Sequence, residues 1–150
     1  MDSITIALFA IIQAKYVNVD FLNSWAIRMR CKLPEHTDWL GQLEVCQNLE
    51  CAEGVLREEV INSGIDVSKT LPKLFVGFLY LRLKKKELTL QEFESELIDI
   101  ADAYDIAGLE IERIKVALPE LEANFEFQKL LDEMACQSLD HLRQVEALAI

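Results

Sequence analysis

Between Leu74 and Leu83 the sequence reads LFVGFLYLRL, broken only by one glycine and one arginine. Wound into a helix, Leu74, Phe75, Val76, Phe78, Leu79, Tyr80, Leu81 and Leu83 cover nearly every side. A helix without a polar face has to be enclosed by other elements. Pro72 falls in its first turn, where a missing N–H costs nothing. Lys84, Lys85 and Lys86 close it and set positive charge against the negative end of the helix dipole. The chain is therefore expected to build its fold around this segment, with several further helices packed on it.

The remaining sequence supplies those helices. Only 5 glycines and 3 prolines occur in 150 residues, too few for the tight turns of a many-stranded β fold. Ser3 is placed to cap a first helix running to about Ala14. Asn18 or Asp20 opens a second, carrying Phe21, Leu22, Trp25, Ile27 and Met29 and ended by Pro34. Thr37 is read as the cap of a third, DWLGQLEVCQNLE, striped by Trp39, Leu40, Leu43 and Cys46. CAEGVLREEVINS forms a fourth, with Gly64 at the left-handed position past its end. Thr89 and Glu92 form a capping box before a helix that buries Phe93, Leu97, Ile100, Ala101 and Tyr104. A short helix covers about Leu109 to Leu118. Pro119 breaks it and is read as starting a long last helix with Phe125, Phe127, Leu130, Leu131, Met134, Leu142, Val145 and Leu148. No segment keeps a strand period, so the expectation is an all-α fold: one domain over residues 1–150, a compact bundle of six to eight helices.

Charge and cysteine usage narrow the function classes. The formal net charge is −11, which repels a nucleic-acid backbone and suits a basic protein partner. Cys31, Cys46, Cys51 and Cys136 include no C-x-x-C pair, and His36 and His141 stand far apart, so no zinc spacing exists. The thiols are read as core residues of a reducing compartment. The apolar run ITIALFAIIQA follows Asp2 rather than a basic segment, and is too short to span a membrane. It is read as a buried first helix of a cytoplasmic protein.

IADAYDIAGLEIERI, Ile100 to Ile114, has the spacing of a helix-turn-helix: Ala101 in the first helix, Asp105 and Ile106 at the turn, Ile111 and Ile114 packing the second. Its chemistry argues against reading DNA. The second helix would present Glu110, Glu112, Arg113 and Lys115, and from Glu110 onward nine acids face four bases. A plain helical corner needs the same pattern, and the nucleic-acid-binding regulator is kept as the alternative.

Other features have structural readings of their own. Arg82 and Lys84–Lys86 form the densest basic patch, and they also terminate a helix. NSGIDVS has alternating oxygens but Lys73 where a calcium loop needs glutamate. Trp25 and Trp39 lie on helical stripes and are assigned to the core. The carboxylate pairs are read as solvated faces, and no nucleophile, phosphate or dinucleotide motif occurs, so a non-enzymatic protein with no cofactor and no metal is expected. An unrecognised carboxylate enzyme is the third class.

FLNSWAIRMR and LFVGFLYLRLKKKELTLQEFESELIDIADAYD, about half the chain, resemble segments of small all-helical bacterial proteins of unknown function, some of them immunity-like. The resemblance implies a protein whose acidic face caps a toxin, and it assigns a role to no single residue. The acidic side chains proposed for such a face are Glu58, Glu59, Glu110, Glu112, Glu120, Glu122 and Glu126. Homo-oligomerisation through an apolar helix face is left open.

Overall fold

The structure, a computed structural model, describes residues 2–150 apart from the Thr37 side chain. Among the described residues there are eight α-helices and no strand. They are α1 (Asp2–Gln13), α2 (Val19–Lys32), α3 (Thr37–Glu44), α4 (Leu49–Asn62), α5 (Leu71–Lys84), α6 (Leu90–Ala103), α7 (Ile111–Ala117) and α8 (Phe125–Leu148). Short 3-10 segments cover Pro34–His36 and Leu118–Ala123. The fold is the all-α bundle that the helical periodicity implied.

Two helices lie innermost. Every residue of α1 from Ile4 to Ile12 is buried, as are α5 residues Leu71, Pro72 and Leu74 through Tyr80. These helices pack on each other, and α8 lies against both. The α5–α8 contact is the most extensive in the molecule, and Gly77 makes it possible. A Cβ at Gly77 would stand 2.0 Å from Ser138 Oγ and 2.3 Å from the Met134 carbonyl oxygen. Ser138, fully buried, lies 2.9 Å from both the Leu74 and Met134 carbonyl oxygens, so its single proton is donated to one or shared between them. α4 covers α1, and α3 joins α2 to α4. α6 covers α5, while α7 and the second 3-10 segment pack on α6 and α8. Trp25 of α2 reaches the far end of α8, donating its indole N–H to the Val145 carbonyl at 2.8 Å.

Local chemistry explains the helix boundaries. Asn18, Asn48 and Asn124 each accept the backbone N–H three residues on, opening α2, α4 and α8. Thr89 and Glu92 make both halves of the capping box at α6. The Asn48 cap moves the α3–α4 break earlier than the sequence reading placed it: α3 ends at Glu44 and α4 is already helical at Leu49. The Asn124 cap likewise starts α8, while Pro119 stays in the 3-10 segment, where Glu120 leaves helical geometry (φ −118°, ψ 37°). Ser3 lies inside the first turn of α1, which is helical from Asp2. The cap assigned to Thr37 falls on a side chain outside those described, and the residue preceding α3 is His36. α4 ends at Gly64 (φ +65°) as expected, but α1 and α5 end in the same left-handed conformation on Lys15 (φ +55°) and Lys86 (φ +64°). The Tyr16 N–H then reaches the Ile11 carbonyl, and the Glu87 N–H the Arg82 carbonyl, closing both helices in Schellman fashion.

Candidate functional site

Three of the four cations in the basic patch at the end of α5 make contacts within the fold, and Lys86 stays exposed. Arg82 donates to the Ala14 carbonyl at 3.0 Å and pairs with Glu87. Lys84 pairs with Asp132 at 3.1 Å and sits 5.1 Å from the centre of the Tyr80 ring. Lys85 donates to the Tyr16 hydroxyl at 2.9 Å and stacks over that ring, and the hydrogen bond holds its ammonium above the ordinary lysine range. These contacts tie the end of α5 to the end of α1 and to α8.

The helix-turn-helix segment resolves into a packed corner. Ile106, Leu109 and Ile114 are buried, and α7 is only seven residues long. Arg113, one of two cations that such a reader would offer, turns inward. It donates to the Gly108 carbonyl at 3.2 Å and lies over the Phe127 ring. Glu110 and Glu112 remain at the start of α7, the end of a helix where negative charge is favourable.

Five of the seven proposed glutamates fall in one connected stretch. Glu110 and Glu112 open α7, Glu120 and Glu122 lie on the 3-10 segment, and Glu126 is in the first turn of α8; all five are exposed. Glu58 and Glu59 do not join them. They lie on α4, whose partners are α1, α2 and α3, and Glu59 accepts the Ser63 hydroxyl at 2.8 Å. Within residues 110–126 the cations are Arg113, which is turned inward, and Lys115.

The acidic stretch also carries apolar surface: Phe125, read from the sequence as part of the last helix's apolar content, and Val116, which that reading did not single out. Phe125 is 77% exposed and Val116 76% exposed. Each stands two residues from a buried neighbour, Phe127 or Ile114, and so points to the opposite side of its helix. That offset was the signal available in the sequence. A groove of about 700 Å³ opens between Leu83 of α5, Leu90 of α6 and the segment Leu118–Ala123, with Glu120 and Glu122 in its wall. Asn124 caps α8 and Gln128 donates to the Leu121 carbonyl at 2.6 Å, which fixes the 3-10 segment as the groove's edge. A second concavity of about 590 Å³ lies where the start of α2 meets the end of α8, between Asp20, Arg28 and Glu146.

Other sequence assignments divide. Trp25 and Trp39 are core residues, their rings 6.4 Å apart. Asp66 in NSGIDVS accepts both the N–H and the hydroxyl of Ser68, which hold its carboxyl below the ordinary range, as in a local turn. The assignment of the cysteines to the core holds only for Cys46. Cys31, Cys51 and Cys136 are exposed, because each lies on the outward side of its helix. Ile27, assigned to the apolar content of α2, is also exposed, one position beyond the Leu22, Trp25, Ala26 and Met29 stripe. Leu148 at the end of α8 is 40% exposed. Among the described residues no helix is long and apolar enough to cross a membrane, and no three His, Cys, Asp or Glu side chains gather as a metal site. Compared with known protein families, curated proteins and solved structures, the chain matches none.

Proposed function

We propose that this protein is a non-enzymatic binding module that docks a basic protein partner on the edge formed by α7, the 3-10 segment and the start of α8. One observation carries the reading: Val116 and Phe125 are exposed on the same stretch of chain as the exposed carboxylates of Glu112, Glu120, Glu122 and Glu126, two of which also line the Leu83–Leu90–Leu121 groove. Apolar anchors that leave water, surrounded by charge, are the anatomy of a protein interface. The carboxylates steer a cationic partner in, and the aromatic and aliphatic groups hold it. An immunity-type inhibitor, which covers a basic protein's working surface, is the specific form of this function. The inward turn of Arg113 and the internal pairing of Arg82, Lys84 and Lys85 leave the nucleic-acid reading with little free positive charge.

The test is capture from the source lysate by the tagged protein, washed at low and high salt, beside two variants: Glu120→Lys/Glu122→Lys/Glu126→Lys and Phe125→Ala. The expected result is one basic protein in stoichiometric amount, weakened by salt, lost with the charge-reversed variant and reduced with Phe125→Ala. Recovery of the protein alone or only with its own copies would reject the reading, as would equal capture by the charge-reversed variant.

A further inference from the structure

We propose that Cys46 and Cys51 form a dithiol that a hydroperoxide oxidises to a reversible intramolecular disulfide. Their sulfurs stand 2.6 Å apart, against about 2.05 Å for a disulfide bond. The pair spans the turn between α3 and α4, and both of its ends are anchored. Asn23 of α2 donates its amide to the Leu43 and Cys46 carbonyls at 2.9 and 3.0 Å, holding the Cys46 backbone. Asn48 accepts the Cys51 N–H at 2.8 Å, holding the other end in the first turn of α4. The Cys46 thiol also lies 3.3 Å from the Gln42 carbonyl, so its single proton has that oxygen and the Cys51 sulfur as alternative acceptors. A shift of about half an ångström brings the sulfurs to bonding distance.

The two thiols differ in access. Cys51 is exposed and meets the oxidant, whereas Cys46 is buried. Burial, reinforced by the hydrogen bond to Cys51 and by the charge Cys51 would carry, pushes the Cys46 thiol up to about 12. Cys46 therefore stays protonated until closure, and resolves the sulfenic acid by losing its proton to the departing oxygen as the S–S bond forms. In the first step the Cys51 sulfur attacks the peroxide O–O bond, giving a sulfenic acid and one water or alcohol. In the second the Cys46 sulfur attacks the sulfenic sulfur; the S–S bond forms, the S–O bond breaks, and hydroxide leaves with the Cys46 proton as water. Two thiols are oxidised by two electrons and one peroxide is reduced. A thiol reductant reverses the bridge.

Cys31 and Cys136, also exposed but without a neighbouring thiol among the described residues, are internal references. The experiment is a titration of the reduced, full-length protein with hydrogen peroxide, followed by alkylation and peptide mapping by mass spectrometry. The Cys46–Cys51 cross-linked peptide is expected as the main product at Cys51, roughly tenfold or more over its sulfinic and sulfonic acids, whereas Cys31 and Cys136 go on to those acids, because closure is intramolecular. Dithiothreitol restores both thiols. Cys46→Ser should leave a sulfenic acid on Cys51 that dimedone traps, and Asn23→Ala should slow closure. Over-oxidation of Cys51 without cross-linking in the native protein would overturn the proposal, as would a Cys46–Cys51 bridge that dithiothreitol does not reopen.

Discussion

The α5–α8 interface and the α7 edge are built from similar residues to opposite ends. At the interface, backbones approach until only glycine fits at residue 77, and Ser138 is buried with its hydroxyl satisfied. At the edge, a seven-residue helix and a 3-10 segment leave Val116 and Phe125 in water. Phe125 and Phe127 make the contrast within three residues of one helix: the first is 77% exposed and the second fully buried. Apolar content alone does not say which surface is core. The direction of the side chain and the supply of neighbours decide it.

The sharpest way to break this comparison is the phenylalanine pair. Phe127→Ala should cost about 3–5 kcal/mol in urea unfolding, from lost burial plus the cavity it leaves. A loss under about 1 kcal/mol would show that the edge, not only its surface, is loosely packed. Gly77→Ala comes next, with a destabilisation of about 2–3 kcal/mol from overpacking against α8. Adding Ser138→Ala should not rescue it, because the Met134 carbonyl remains 2.3 Å from the new methyl. Rescue would mean that the hydroxyl alone sets the helix spacing.

Smaller effects separate local from tertiary contributions. Thr89→Ala removes a cap and should lower stability by about 1 kcal/mol. Its partner gives the pH dependence. The Thr89 backbone N–H, and then its hydroxyl, hold the Glu92 carboxyl below its ordinary range. A carboxylate whose folded-state pKa is depressed stabilises the fold above its unfolded value of 4.5, and that contribution is lost as pH falls through the lower folded value. The stability gap between the native protein and Glu92→Gln should therefore be widest near neutral pH and close on acidification; a gap independent of pH would discard the charged half of the box. Lys86→Gly, which relieves a left-handed non-glycine residue, should stabilise by up to about 1 kcal/mol. The smallest effect is expected for Phe125→Ala, within about 0.5 kcal/mol by thermal unfolding. A large loss there would move Phe125 from the binding surface into the core.

Much of this architecture could be read locally. The capping box at Thr89, the asparagine at residue 18 and the glycine at residue 64 act within a few residues of themselves, and each appears in the structure where the sequence put it. The errors also have local causes. Asn48 and Asn124 compete with other candidate boundaries; packing of α3 on α2 and α4 settles the first, and packing of the second 3-10 segment on α7 and α8 the second. The acidic stretch was visible as composition. That its members separate into an edge of five and a pair on α4 was not, because the distance between residues 59 and 110 depends on how α1 and α5 are placed between them.

The sequence by itself determined the helices, most of their ends and the need to enclose two of them, because hydrogen bonding and periodicity act over three or four residues. Tertiary structure alone decided which apolar residues stay outside, which cations turn inward and which thiols meet. Asn23 beside Cys46, Arg113 over Phe127 and Lys84 against Asp132 join residues whose encounter depends on how whole helices pack. No local preference encodes such meetings; they follow from the one arrangement that buries α1 and α5 at the same time.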